Sequence, residues 1–392
     1  MSFELAKQHF LQGLAELQRG ALNDAEASFE ASLALVPDRP STLINLGAVR
    51  LSLGKNAEAL AVLERAAALD AANVGVWLQC AQLQQEQQRL PDALASLEQA
   101  LALDAHNSAA WSNRGMLLRD LQRREEAAAS FEKAIDLGHD ATLNAFYLAA
   151  VRDVPKTAPL LAPRAYVEKL FDSYADDFSG HLVQALHYRG HERLVQRLLQ
   201  LQPRRFNTTL DVGCGTGLCG ALIRSHTERL EGLDISAAMV EKARAMKLYD
   251  QLVHADAVDH LRAVVAGPPG AASRVYDLIL AADVFNYIGA LEPLFEAVHA
   301  ALASGGQFCF TVETLAPGRA AGVQEDASSD PGVPGTEDMR LLPSLRYAHS
   351  EEYVRRVAAQ LAFHIDEIFA APLREDQGVE IAALYVFLTK LA

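Results

Sequence analysis

Residues 209–218 read Thr209-Leu-Asp-Val-Gly-Cys-Gly-Thr-Gly-Leu218 and are entered through Arg204-Arg-Phe-Asn-Thr208. The run closing at Val212 has the apolar character of a buried parallel strand. Glycines follow at 213, 215 and 217, and Leu-Cys-Gly-Ala-Leu-Ile-Arg continues with helical character. A strand, a glycine-rich turn and a helix start make a cradle for a nucleotide-like ligand. Glycine admits close backbone approach, and unpaired N–H groups face outward where a helix begins. The spacing departs from the dinucleotide fingerprint Gly-x-Gly-x-x-Gly, because Leu218 stands where its third glycine would fall. Asp211 adds an acid two residues before the first glycine.

Downstream, strand and helix patterns alternate. Strands are expected at 208–212, 230–234, 251–255, 276–282 and 307–313, with helices near 217–225, 236–247, 257–265 and 290–303. This alternation predicts a doubly wound parallel sheet with its ligand crevice beyond the strand C-termini. After the fifth strand come a helix (350–361) and two β-rich runs, 363–370 and 380–389, joined through Asp376-Gln-Gly as an antiparallel hairpin. An acid closes each of the first four strands: Asp211, Asp234, Asp256 (in Ala255-Asp-Ala257) and Asp283 (in Ala282-Asp-Val-Phe-Asn-Tyr287). A lone aspartate at such a place is usually a helix cap, and Asp256 and Asp283 each admit that reading. Four of them around one glycine loop are hard to explain as four caps.

The glycine loop and these acids resemble motif I and the fold of the class I methyltransferases that use S-adenosylmethionine. The resemblance implies a Rossmann-like α/β domain over 206–392, a parallel sheet ending in an antiparallel hairpin, with S-adenosylhomocysteine as product. It implies a cradle at Gly213, Cys214, Gly215 and Gly217, with Asp211 near the cofactor ammonium. Asp234 would accept both ribose hydroxyls, Ile235 and Met239 cover the adenine, and Asp256 and Ala257 meet the adenine edge. Asp283 would lie beside the transferable methyl.

Residues 1–138 repeat with a period of 34. Gly13, Gly47, Ala81 and Gly115 share one phase; Ala25, Ala59, Ala93 and Ala127 a second; Phe29, Leu63, Leu97 and Phe131 a third. Leu43, Trp77 and Trp111 make a fourth. Small residues mark close helix crossings and large ones fill the space between hairpins. The pattern resembles the tetratricopeptide (TPR) repeat, four copies stacked as an all-α solenoid. The row Phe10, Ile44, Leu78 and Ser112 is expected on its concave face, flanked by Leu17, Leu51, Gln85 and Arg119, the last its only charge. Without a fuller Lys/Arg ladder the groove suits a peptide or partner helix rather than a terminal carboxylate. The alternative is that it packs on the chain's own second domain or on a twin subunit.

Residues 139–205 read as a connector. A capping helix starts at Thr142, and Pro155, Pro159 and Pro163 mark a linker. Tyr166, Leu170, Tyr174 and Phe178 then recur at four, sharing one helix face. That stripe suits packing against the next domain. The run Phe171-Asp-Ser-Tyr-Ala-Asp-Asp-Phe178 also resembles a segment of bacterial methyltransferases with N-terminal TPR repeats, which implies that Tyr174 and Phe178 close over the methionine end of the cofactor. His181, His187 and His191 lack the cysteine or carboxylate partners of a metal set, so no metal is expected.

A segment rich in Gly, Pro, Ser and acids (316–343) is longer than ordinary loops and is expected to be lid-like or disordered. Ser344-Leu-Arg-Tyr-Ala-His-Ser350 follows it, and Ser350 before two glutamates reads as a helix cap. A similar Arg-Tyr-Ala-His-Ser run occurs in the repeat-bearing methyltransferases. On that resemblance Arg346 and His349 are expected on the substrate side, His349 as a base; contact with the lid is the alternative.

A formal charge of −15 over 392 residues argues against broad nucleic-acid or anionic-membrane binding, and no Asn-Pro-Pro-Tyr-like motif follows strand four. The four cysteines (Cys80, Cys214, Cys219 and Cys309) have no paired spacing and suit buried thiols. No signal-type or membrane-length apolar run is present, so a cytoplasmic protein is expected. Three functions remain open at this stage: methyl transfer to a protein or peptide captured by the repeats, transfer to a small molecule with the repeats serving assembly, or a non-catalytic cofactor-binding scaffold.

Overall fold

The structure is a computed structural model that describes residues 2–152, 159–175, 186–267, 275–315, 338–376 and 378–391. The chain forms two compact units, 1–152 and 153–392.

In the first unit, α1 (Ser2–Gln18) pairs with α2 (Leu22–Leu35), and α3 (Pro40–Ser52) with α4 (Asn56–Leu69). Likewise α5 (Val74–Glu86) pairs with α6 (Leu90–Leu103), and α7 (Ser108–Asp120) with α8 (Arg124–Asp136). The period of small and large residues has a direct steric cause. A Cβ added at Gly13, Gly47 or Gly115 would sit 2.8, 2.7 or 2.5 Å from Phe29, Leu63 or Phe131 respectively. Ala25, Ala59, Ala93 and Ala127 are fully buried. Trp77 and Trp111 each donate an indole N–H to the preceding inter-repeat loop, at Ala71 O and Ala105 O, 3.0 Å. Phe10, Ile44 and Leu78 are half-buried and Ser112 is buried. Arg39 lies 4.6 Å over the Phe10 ring, and Arg119 pairs with Asp120 at 2.7 Å. The helix expected to cap the array, α9 (Ala141–Arg152), packs on α8, with Phe131 and Tyr147 rings 5.3 Å apart, and belongs to this unit.

The second unit begins with α10 (Arg164–Tyr174) and α11 (Gly190–Leu201). It continues β1 (Phe206–Val212), α12 (Leu218–Ile223), β2 (Thr227–Asp234), α13 (Ala237–Ala245), β3 (Gln251–His254), α14 (Ala257–Ala266) and β4 (Tyr276–Ala281). After these come α15 (Glu292–Ala301), β5 (Leu302–Thr314), β6 (Met339–Leu341), β7 (Tyr347–His349), α16 (Glu351–Gln360), β8 (Phe363–Asp376) and β9 (Val379–Lys390). Strands β3-β2-β1-β4-β5 are parallel; β9 runs antiparallel beside β5, and β8 beside β9. The predicted hairpin is therefore present and longer than expected at both strands. The short β6–β7 pair, which the sequence reading did not foresee, joins the far end of β5 through Glu313 and Thr314.

Side chains alternate across the strands, so the sheet feeds two cores. Ile279 and Ala281 of β4 join Phe295, Phe308, Phe310 and Val357 on one face. Leu278 and Leu280 join Leu194, Leu198, Ile223 and Tyr385 on the other. The strand order reverses between β1 and β4, which opens a crevice at their C-terminal ends. Among the described residues no helix is long and apolar enough to cross a membrane. The four cysteines are free and buried. Most of the expected lid, 316–337, lies outside the described residues.

Candidate functional site

A cavity of about 630 Å³ occupies that crevice. Its floor is the glycine turn. Gly213 has φ +62°, and a Cβ there would come within 2.5 Å of Val284, so only glycine keeps the turn beneath the cavity open. Gly213, Cys214, Gly215, Asp211, Asp234, Ile235, Asp256, Ala257, Asp283, Tyr174 and Arg346 all line the cavity. Three other expected residues stand outside the lining. Gly217 (φ +97°) precedes α12 and shapes the turn, and Met239 is buried beneath α13. His349 is the third. Phe178 lies outside the described residues.

The acids differ in their environments. Asp211 is 1% exposed and accepts a hydrogen bond from Tyr249 Oη at 2.7 Å. Burial, with the nearby Asp234 charge, pushes its carboxyl up to about 7. Asp234 accepts from Gly215 N and Ser236 N, both at 2.9 Å, and burial also raises its pKa. Neither has an ion-pair partner among the described residues. Two such carboxylates in one enclosed site suit a ligand carrying positive charge. Asp256 does cap α14, through Oδ1 to Val258 N (2.9 Å) and Asp259 N (3.1 Å), while also facing the cavity. Asp283 is not a cap. It adopts φ +61°, its N–H donates to Thr311 Oγ1 at 2.9 Å, and its carboxylate accepts from Arg374 Nη1 (2.8 Å) and Asn286 Nδ2.

Arg374 was not anticipated. Its guanidinium is fully buried and spans Asp283 and Glu313. No local pattern marks it, because its partners are 91 and 61 positions away in sequence. Burial raises the Glu313 pKa, and Arg374 pulls against that rise. Arg346 faces the cavity beside this group and hydrogen-bonds the Tyr287 side chain. Burial opposes its charge, yet Tyr287, Asp283 and Glu313 hold its pKa above the ordinary value.

His349 has a different place. Its ring is fully buried in β7, Nε2 lies 2.9 Å from Gly289 O, and it stacks 6.0 Å from Tyr353. Burial drives its pKa down to about 4. The strand pairing of β7 with Thr314 turns this side chain into the loop after β4 and away from the cavity, so the geometry supports a packing role and not that of a base. Ser350 is a helix cap, accepting from Tyr353 N at 3.1 Å. His191 lines the cavity, stacked 5.2 Å from Tyr188, and burial lowers its pKa. His187 pairs with Glu375 at 2.9 Å, and His181 lies outside the described residues. Among the described residues no group of three or more His, Cys, Asp or Glu is arranged to hold a metal ion.

The cavity roof comes from upstream of the sheet. Leu160, Leu161, Ala162, Val167, Leu170 and Phe171 line it together with Tyr174. This segment is tied by a Leu161–Ile288 bridge and by Phe171 edge-on to Tyr287 at 5.4 Å.

A family model described as a methyltransferase domain matches residues 210–308, and a tetratricopeptide-repeat model matches 10–74 and 78–142. A malonyl-[acyl-carrier protein] O-methyltransferase of Enterobacter lignolyticus (strain SCF1) is 30% identical over 132 residues, which is 32% of this chain and 49% of that protein. The chain thus spans about half the length of the curated relative it matches. Among solved structures, magnesium protoporphyrin IX methyltransferase (ChlM) from Synechocystis PCC 6803 with bound SAM aligns at 14% identity and a TM-score of 0.39, covering 58% of this chain and 96% of that one. YrrB, a TPR protein with an unusual peptide-binding site, aligns at 24% identity and a TM-score of 0.33, covering 36% and 72%. The chain joins an N-terminal array of tetratricopeptide repeats to a methyltransferase domain with a Rossmann-like fold.

Proposed function

We propose that the protein transfers a methyl group from S-adenosylmethionine to a protein or peptide recruited by its repeats. One observation carries the donor assignment: acids at the ends of four successive parallel strands surround a glycine turn, and two of them are buried without an ion-pair contact among the described residues. When bound, the cofactor supplies an electrophilic methyl on a sulfonium. The residues around it have defined tasks. Asp234 keeps lone pairs for two ribose hydroxyls, Asp256 and Ala257 meet the adenine edge, and Ile235 covers a ring face. Asp211 faces the cationic end. Tyr174 and Phe171 would exclude water from the roof, and the enclosed cavity would restrict how a nucleophile approaches the methyl. Arg346, rather than His349, is the residue we put forward on the substrate side.

The Asp211 carboxyl makes binding pH-dependent. A raised folded-state pKa means that this group's contribution to stability is fully present below its unfolded value of about 3.9 and is lost as pH rises through about 7. A cationic ligand reverses the sign, since it prefers the ionised form. Calorimetric affinity for S-adenosylmethionine should therefore tighten several-fold between about pH 6 and about pH 8, and Asp211→Asn should flatten that rise. A wild-type affinity that is level across this range would remove Asp211 from the cationic end.

The acceptor assignment rests on the repeat array, whose half-buried Phe10, Ile44 and Leu78 form an apolar row. A small-molecule acceptor is the second reading, favoured by the roofed cavity. Transfer of labelled methyl into a protein extract and, separately, a deproteinised metabolite pool separates them. Label in a protein band, reduced when Phe10, Ile44 and Leu78 are changed to serine, supports the first reading. Label confined to metabolites, indifferent to the groove, establishes the second. Absence of label from both overturns catalysis.

A further inference from the structure

The roof segment 159–175 is tied down differently at its two ends. At its start, Pro159 O accepts from Tyr347 Oη at 2.7 Å, and Leu160 O accepts from Gly289 N (3.0 Å) and Ala290 N (2.9 Å). Ala162 N donates to Tyr287 O at 3.1 Å. Gly289 has no space for a side chain, since a Cβ there would lie 2.8 Å from Leu160 O. This end is a strand-like seam of backbone bonds on the loop after β4.

At the other end, beside the edge-on contact of Phe171 with Tyr287, stands the tie of one carboxylate. Asp172, near the end of α10, accepts from Ser236 Oγ at 2.6 Å and from Ala238 N at 3.2 Å, through the same oxygen. Both donors belong to the start of α13, where Ser236 is the cap and accepts from Met239 N at 3.1 Å. Ser236 N in turn donates to Asp234 Oδ1, and Asp234 Oδ2 accepts from Gly215 N. A continuous series of hydrogen bonds thus runs from the roof, through Ser236, to the acid at the end of β2 and on to the glycine turn. The Asp172 carboxylate is exposed, so water competes for both of its bonds and the contact can be made and broken.

We infer that Asp172 is a positioning residue: it latches the roof onto the Ser236 cap, holds Tyr174 and Phe171 over the cavity, and thereby sets how fast a bound nucleoside leaves. The seam at Pro159–Ala162 is the hinge about which the roof opens. Closure is sensed at Asp234 because Ser236 bonds both acids. This inference rests on the cofactor assignment proposed above, and its test separates the two.

Full-length wild type, Asp172→Ala and Asp172→Asn would be loaded with tritiated S-adenosylhomocysteine and chased with unlabelled ligand, while hydrogen exchange is followed over 164–175 in ligand-free protein. Release from Asp172→Ala should be about tenfold faster than from wild type, as expected when charge-assisted hydrogen bonds are lost. Asp172→Asn, which keeps an accepting oxygen, should fall between them. Exchange over 164–175 should rise in Asp172→Ala while that of β1 and β4 is unchanged, which a general loss of folding would not produce. Equal release rates, or equal exchange of 164–175 in the three proteins, would overturn the latch. If wild type binds no S-adenosylhomocysteine, the cofactor assignment falls, and the exchange comparison alone then decides the latch.

Discussion

Replacing Arg374 by methionine should cost the second unit about 3–5 kcal/mol, the range for breaking a buried ion pair by removing one partner. The buried guanidinium is the shared counter-charge of Asp283 and Glu313. Without it Glu313 stays buried with only Arg346 nearby to offset its charge, and Asp283 keeps, among the described residues, Asn286 alone as the donor to its carboxylate. The loss should depend on pH, with a determined sign. The folded-state pKa of Glu313 already lies above its ordinary value through burial, and Arg374 pulls against that rise. Removing the arginine raises it further. A raised carboxyl contributes stability that is complete below the unfolded pKa of about 4.3 and is lost as pH rises through the folded value. The variant should therefore sit nearest to wild type in acid and furthest from it at neutral pH and above. Adding Asp283→Asn and Glu313→Gln should recover much of the loss. Both tryptophans, Trp77 and Trp111, lie in the repeats, so their fluorescence follows the first unit and serves as the internal control. Calorimetry with near-ultraviolet dichroism of the tyrosines follows the second. An unchanged second transition would show that Arg374 is not the counter-charge.

Asp234→Ala should weaken S-adenosylmethionine binding by about 10- to 150-fold, corresponding to roughly 1.5–3 kcal/mol for hydrogen bonds to a charged acceptor. The protein should remain folded, because Gly215, whose N–H is freed by the change, lines a cavity that water can enter, and the Ser236 cap of α13 keeps its bond to Met239 N. The loss should track the ribose. Wild type should bind a 2′-deoxy analogue of S-adenosylhomocysteine less tightly than the parent compound, whereas the alanine variant should bind the two alike. A variant that still discriminates between them would place the ribose elsewhere, and a variant with wild-type affinity would remove Asp234 from the site.

Much of this site is legible in the order of residues. The glycine turn and the acids at the ends of β1, β2 and β4 follow from strand periodicity and turn chemistry, which are local. Asp256 illustrates how two readings coexist: one carboxylate oxygen caps α14 and the residue still faces the cavity. The resemblance implies Met239 over the adenine and Gly217 in the cradle, but helix periodicity turns Met239 into the core and Gly217 serves the turn itself. The expectation of His349 as a base rests on the resemblance of Arg346-Tyr-Ala-His-Ser350 to a run in repeat-bearing methyltransferases. Whether an imidazole faces a cavity or a backbone carbonyl depends on how β7 seats against β5, and three residues of strand do not declare their partner.

What the sequence by itself determined is the part written in short-range physics: a 34-residue steric repeat, a glycine turn with left-handed backbone, and alternating strand and helix periods with an acid at successive strand ends. What the tertiary structure alone decided is every pairing between distant charges and every covering contact. Arg374 meets Asp283 and Glu313, Tyr249 meets Asp211, and Asp172 reaches the Ser236 cap across separations of 38 to 91 residues. The reason is physical. Backbone propensity and hydrophobic period act within a turn or a strand, whereas a buried charge is stable only where the folded chain brings it a partner, and that partner carries no mark in its own neighbourhood.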